Sequence, residues 1–244
     1  MGTLVICMAG LNTRFHNVGF DIPKYLLPWG KNTIIYEILS QIKINYAFSN
    51  YLLIANKRDL FFKKQLKKEI IKLGINSNSI RYIDDTNGQA HTAFAAAKLI
   101  KNQLPIFIHN ADTILYNRNF KKIKIYLKKA YLYIDTFISK NPKYSYVKKK
   151  GRKVNNIQEK IRISSFASSG LYCFKNSSLY QKYYNKFIKK FNKKEIYISD
   201  IINLMIKDKL EVLTNPINKD FKTVVLGTPR EYELALAKKS LNKK

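Results

Sequence analysis

The chain has 244 residues, 46% hydrophobic and 25% charged, with a formal net charge of +29. That apolar content can bury a core and argues against disorder, and nine Gly with six Pro exclude collagenous and low-complexity classes. No apolar run approaches the ~18 residues of a membrane span, and Leu4 to Met8 is too short for a signal-peptide core, so a cytoplasmic location is expected.

Thr3 to Met8 reads as a short buried strand stopped by Ala9-Gly10. Residues 9 to 32 read as a long loop, and loops of that length in a compact domain are usually functional. Thr33 to Asn45 has helical apolar spacing at Ile34, Ile35, Ile38, Leu39 and Ile42. Tyr51 to Ala55 is a strand. Asn56 can cap a helix from Lys57 to Leu73, with Gly74 as its stop. Ile80 to Ile83 is a strand, Gln89 to Ile100 an Ala-rich helix, and Pro105 to His109 a buried strand broken at Asn110-Ala111-Asp112. This alternation predicts an α/β fold with a doubly wound parallel sheet.

The second half changes character. Residues 131 to 138, 144 to 149, 153 to 158 and 167 to 174 read as strands, with a hairpin turn at Lys149-Lys150-Gly151-Arg152. Helices follow over Ser177 to Phe191 and Ser199 to Lys207. Thr228-Pro229-Arg230-Glu231 is a capping box opening a last helix, Pro229 to Lys239. The sheet is therefore expected to become mixed, within a single domain over residues 1–244.

The charge is mostly lysine: seven of the 45 basic residues are Arg. Phosphate-recognition surfaces favour the Arg fork. Abundant Lys, Asn, Ile and Tyr fit an A/T-rich coding sequence with solvated lysines. A positive field also suits anionic substrates such as nucleoside triphosphates. Cys7 and Cys173 sit in apolar runs, and His16, His91 and His109 show no ligand spacing.

Ligands of open α/β sheets bind outside the carboxyl ends of the strands. Two candidate sites lie there. One is the loop Ala9-Gly10-Leu11-Asn12-Thr13-Arg14-Phe15 with Pro23-Lys24, where backbone N–H groups can approach phosphates and Arg14 and Lys24 can neutralise them. It is neither a P-loop nor a dinucleotide fingerprint, and an ordinary strand–helix connection has the same spacing. The other is Asp112, just past an apolar strand. One carboxylate with substrate phosphates and waters makes a normal magnesium site, and a turn or N-cap aspartate is the plain alternative.

Seven segments, in order, resemble the motifs of the sugar-nucleotidyltransferase (nucleotidyltransferase) family. They are the opening Ile6 to Phe15 with Pro23 to Leu26, Asn87-Gly88-Gln89-Ala90, Phe107 to Asp112, Val154 to Lys160, Ser168 to Tyr172, Glu195 to Asp200 and Leu226 to Glu231. The resemblance implies a Rossmann-like doubly wound mixed sheet of the nucleotide-diphospho-sugar transferase type. It implies that Ala9, Gly10, Leu11, Asn12, Thr13, Gly88, Gln89 and Asn110 bind the nucleotide. Arg14 would hold the departing phosphates and Lys24 would stabilise charge at the α-phosphate. Asp112 would bind Mg2+, and Lys160, with Glu159, Gly170 and Glu195, would meet the acceptor.

Two positions depart from the family pattern. Asn12 stands where Gly is usual, and Asn tolerates positive φ. Val225 stands where many relatives carry a second metal aspartate, which leaves Asp200 or Asp220 as substitutes. For Asp200 a helix N-terminal acid is the plain alternative.

The implied reaction needs no general base, because a phosphate monoester with a second pKa of about 6 is largely ionised at neutral pH. The short chain resembles small cytidylyltransferases of bacterial capsule gene sets. That likeness implies CTP as donor and a phosphorylated small-molecule acceptor. Phosphoglutamine, for capsule phosphoramidate synthesis, is the first expectation, with a sugar-1-phosphate or phosphocholine as alternatives. Neither nucleic acid nor membrane is an expected partner. A basic nucleic-acid-binding protein remains the rival of another class, beside a glycosyltransferase and an inactive homologue.

Overall fold

The computed structural model describes residues 2–241; Met1 and residues 242–244, part of the expected domain, lie outside them. The chain opens with β1 (Thr3–Met8), a short α1 (Thr13–His16), the strand pair β2 (Pro28–Trp29) and β3 (Asn32–Thr33), and α2 (Ile34–Asn45). β4 (Asn50–Asn56), α3 (Lys63–Ile71), β5 (Ile80–Ile83), α4 (Gln89–Lys98) and β6 (Ile106–Asn110) follow. Next come β7 (Thr113–Tyr116), α5 (Phe120–Lys129), β8 (Leu132–Ile138), β9 (Ser145–Lys150), β10 (Lys153–Glu159) and β11 (Phe166–Phe174). The chain closes with α6 (Ser177–Lys190), α7 (Ile198–Lys207), β12 (Val212–Thr214), β13 (Lys222–Val225) and α8 (Pro229–Leu241).

Nine strands form one sheet in the order β5-β4-β1-β6-β11-β8-β12-β10-β9. β5, β4, β1 and β6 are mutually parallel. β11 runs antiparallel to both β6 and β8, which makes the sheet mixed in its later part. The side-chain period of two explains the layering. In β1, Leu4, Ile6 and Met8 join one core with Ile38 of α2 and Ile70 of α3. Val5 joins the other, with Ala93 of α4, Tyr180 of α6 and Ile201 of α7. Each fully buried Ile or Leu contributes about 1.5–3 kcal/mol. α4 meets the sheet through Ala90, Ala93, Ala96 and Ala97, all buried, and such small side chains let a helix approach closely.

Several local expectations differ from what the chain does. The helix expected over 57–73 starts as a 3-10 turn, Lys57–Phe62, before α3. Asn56 caps that turn by accepting the Arg58 N–H at 2.9 Å, and Gly74 ends α3 at φ +65°. β7, α5, β12 and β13 were not expected. α5 had a legible signal, since Phe120, Ile123, Tyr126 and Leu127 are its buried face and Asn119 accepts the Lys122 N–H at 2.9 Å. The hairpin turn is as expected, with Gly151 at φ +58°. Among the described residues no helix is long and apolar enough to cross a membrane.

Candidate active site

The parallel strands leave β1 in both directions, to β4 and β5 on one side and to β6 on the other. The strand order thus reverses beside β1, and a crevice opens at the carboxyl ends there. A cleft of about 760 Å³ occupies that crevice. It is lined by residues 7–11, Lys24, residues 86–89, Thr92, residues 110–112, Lys194 and Glu195. A second cleft of the same volume opens among Thr3, Asn50, Arg81 and Lys101, and contains none of the expected site residues.

The floor of the first cleft is the loop after β1. Apart from Gly10 and its two chain neighbours, no protein atom lies within 4 Å of the place a Cβ of Gly10 would take, so the backbone there faces open space. Asn12 sits at φ +56°, as its tolerance of the left-handed region led us to expect. Asn12→Gly is therefore expected to leave the melting temperature and nucleotide KM near wild type. Asn12→Val is expected to lose about 1–2 kcal/mol and to raise that KM. Equal behaviour of the two variants in melts and initial rates would remove the backbone argument.

The charged centre joins the two strand ends. Lys24 begins a 3-10 turn after Pro23, and its Nζ donates to Asp112 Oδ2 at 2.5 Å. Asp112 lies in the tight turn from β6 to β7. Thr113 Oγ1 donates to its Oδ1 at 3.2 Å, and its carbonyl accepts the Leu226 N–H at 2.7 Å. Burial pushes the Asp112 carboxyl up, but the Lys24 ammonium, with the Thr113 hydroxyl and His109, outweighs it and holds the carboxyl below the ordinary value. His109, fully buried, braces this turn with Nε2 2.8 Å from the Thr113 carbonyl. Burial lowers its pKa and keeps the ring neutral.

On one wall Gln89 Nε2 donates to Asn110 Oδ1, tying the start of α4 to the end of β6. Gly170 packs against that amide at φ +84°, and any side chain there would overlap it. β10 ends at Glu159, with Lys160 just past it; these two and the expected Asn12 and Gly170 lie outside the cleft lining. Ser145 Oγ donates to Glu159, as does Ser199 Oγ at 3.4 Å. Burial pushes the Glu159 carboxyl up.

The structure brings Ala9, Gly10, Leu11, Lys24, Gly88, Gln89, Asn110, Asp112 and Glu195 to one cleft. Arg14 and Thr13 are exposed on α1, outside the cleft lining. Asp200 is not brought to Asp112. Its Oδ2 accepts the Tyr197 N–H at 2.9 Å, and Lys193 Nζ lies 2.8 Å away, so it caps α7 as its plain alternative held. Val225 pairs with Thr113, immediately after Asp112, and brings no carboxylate. Among the described residues no three His, Cys, Asp or Glu side chains gather to hold a metal. Asp112 alone fits a cation that takes its remaining ligands from phosphates and water. Sequence reasoning missed Lys194 in the lining and Tyr197 beside Lys160. Nothing in the sequence separates Lys194 from the other lysines.

A family profile described as nucleotidyl transferase matches residues 4–231. No curated protein matches the chain by sequence. Among solved structures, the chain is similar to a nucleoside-diphosphate-sugar pyrophosphorylase from Vibrio cholerae RC9, with 25% identity and a TM-score of 0.83 over 96% of this chain and 99% of that one. It is similar in fold to HddC from Yersinia pseudotuberculosis, at 18% identity and a TM-score of 0.71 over 98% and 99% of the two chains. The inositol-1-phosphate CTP transferase from T. maritima is a further fold relative, at 13% identity and a TM-score of 0.73 over 98% and 96%. The architecture is thus the nucleotide-diphospho-sugar transferase type, as the motifs implied.

Proposed function

The chain belongs to the nucleotidyl transferase family, and from that premise we propose a specific reaction. A nucleoside monophosphate passes from CTP to a phosphorylated small-molecule acceptor, and pyrophosphate is released. The acceptor's phosphate oxygen attacks the α-phosphorus, a new P–O–P bond forms, and the bond to the departing pyrophosphate breaks in line. Catalysis is positioning and charge neutralisation, with no general base.

The single observation that carries this reading is the Lys24–Asp112 pair at 2.5 Å, held where the loop after β1 meets the end of β6. Lys24 leaves Asp112 to meet the α-phosphate. Gly10 and its neighbours cradle the nucleotide, Gln89 and Asn110 lie toward the base, and Arg14 reaches the phosphates from α1. Lys160 receives the acceptor phosphate. Asp112 would hold Mg2+, which supplies charge neutralisation on the triphosphate when bound.

Phosphoglutamine is the acceptor we favour. The carboxylates on the acceptor wall already have protein donors: Glu159 has Ser145 and Ser199, Glu195 has Tyr197, and Asp200 has Lys193 and the Tyr197 N–H. That leaves few free acids to hold sugar hydroxyls. The second reading is a sugar-1-phosphate acceptor, favoured by the likeness to the Vibrio enzyme. The test is pyrophosphate release with magnesium. It crosses CTP, UTP, dTTP, GTP and ATP with phosphorylated amino acids, phosphocholine and sugar-1-phosphates, with Asp112→Ala as control. Acceptor-dependent release with CTP and phosphoglutamine, lost in the variant, is expected. Release only with another pair reassigns the substrates, and release that survives in the variant removes Asp112 from the mechanism.

A further inference from the structure

Lys160, the residue just past β10, has an unusual backbone state. Its φ is +57°, a left-handed conformation that a lysine rarely adopts. Such a state persists where the surroundings over-determine it, and it clusters at functional positions. Here the Lys160 N–H donates to the Tyr144 carbonyl at 3.1 Å, and Nζ donates to the Tyr197 hydroxyl at 2.8 Å. The ammonium also lies 4.9 Å from the Tyr197 ring centroid.

Tyr197 is itself held from three sides. Its N–H donates to Asp200, and Lys193 Nζ lies 4.9 Å from its ring centroid. The residue before it is locked to the nucleotide wall. The Ile196 N–H donates to the Asn87 carbonyl at 2.8 Å, and the Ile196 carbonyl accepts the Ala90 N–H at 3.3 Å. The approach is close enough that a Cβ at Gly88 would lie 2.6 Å from the Ile196 carbonyl oxygen.

The hydroxyl does two things at once. It accepts from the Lys160 ammonium and donates to the Glu195 carboxylate. It therefore stands between a cation and an anion that would otherwise pair. Among the described residues Lys160 forms no ion pair, so its charge is fixed in place yet not neutralised.

We infer that Tyr197 is a positioning residue for the acceptor phosphate, acting through Lys160 and setting its distance from the nucleotide wall. This rests on the reading above, in which Lys160 meets that phosphate. With phenylalanine at 197, Lys160 loses its acceptor and can collapse onto Glu195.

The test has a kinetic arm and a binding arm. Tyr197→Phe is expected to raise the acceptor KM about tenfold, the worth of one hydrogen bond to a charged group. Nucleotide KM and melting temperature stay unchanged. Adding Glu195→Gln to it recovers part of the loss, because no carboxylate remains to capture the ammonium. A merely structural tyrosine would move both KM values together and would not be rescued.

The binding arm needs no turnover. Orthophosphate at high ionic strength is titrated into the full chain while the Tyr197 ring resonance is followed by NMR. A saturable shift in wild type that disappears in Lys160→Ala is expected. An unmoved resonance in wild type, or an acceptor KM unchanged in Tyr197→Phe, overturns the inference. If phosphate moves Tyr197 through Lys160 but no nucleotide and acceptor release pyrophosphate, the phosphate site stands and the proposed reaction fails.

Discussion

Lys24→Met is expected to lower the rate of pyrophosphate release by about 10²–10³, the usual cost of removing one preorganised electrostatic stabiliser. The ammonium is only partly shielded from solvent, with 26% of the side chain exposed against 15% for Asp112. Lys24→Arg is expected to rescue poorly, because a planar fork replaces a compact point charge. The double variant Lys24→Met with Asp112→Asn is expected to cost little more than the worse single change, since the two groups act as a unit. Fully additive losses would separate their roles.

The pair also has a signature in stability against pH. The folded Asp112 carboxyl lies below its ordinary value of 3.8. Its contribution is fully present above that ordinary value and is lost as pH falls through the lower folded one. Without the Lys24 ammonium, burial is opposed only by the Thr113 hydroxyl and His109, and the Asp112 carboxyl rises relative to wild type. Lys24→Met is therefore expected to lose less stability on acidification than wild type, because protonation relieves a buried carboxylate that has lost its cation. Melts from pH 3 to 7 check this.

Asp135→Ala is expected to destabilise the chain by about 3–5 kcal/mol, because it leaves the buried Arg118 charge uncompensated. Arg118 and Asp135 are almost wholly buried, at 1% and 0% exposure, and Arg118 Nε donates to both carboxylate oxygens at 2.9 and 3.0 Å. The same guanidinium donates to the Tyr116 carbonyl at 3.1 Å and to Thr223 Oγ1 at 2.6 Å, and stacks on Phe221. It thereby clamps β7, β8 and β13 together. A chain of this size moves by about 2–4 °C per kcal/mol, so a fall on the order of 10 °C in melting temperature is expected. Arg118→Met combined with Asp135→Leu should recover most of it, since apolar replacement of both partners removes the desolvation cost. No recovery would mean that the β13 contacts, rather than the charge pair, carry the effect.

β1 shows why much of the fold is readable in the chain. Leu4, Ile6 and Met8 alternate with Val5 between two cores, and that period follows from strand geometry alone. The motif-bearing segments were legible as well: Asn12 stands at a positive φ in the loop after β1, Glu159 at the end of β10 with Lys160 just past it, and Gly170 within β11. α5 was legible but unread, because its lysines obscure a regular apolar face. β7 and β13 were not, since each is short and neither shows a periodicity of its own.

What the sequence by itself determined are the local quantities. Apolar period sets which face of each element is buried, capping residues set where helices start, and glycine or asparagine allows the turns of positive φ. The ordered motifs narrowed the family. Only the tertiary structure decided which distant groups share a charge. Lys24 meets Asp112 across 88 residues, Arg118 meets Thr223 across 105, and Lys160 meets Tyr197 across 37. Asp200 turned from a candidate ligand into a helix cap for the same reason. A carboxylate's role depends on the cation or N–H that the packed chain brings within a few ångströms, and no spacing along the sequence encodes that distance.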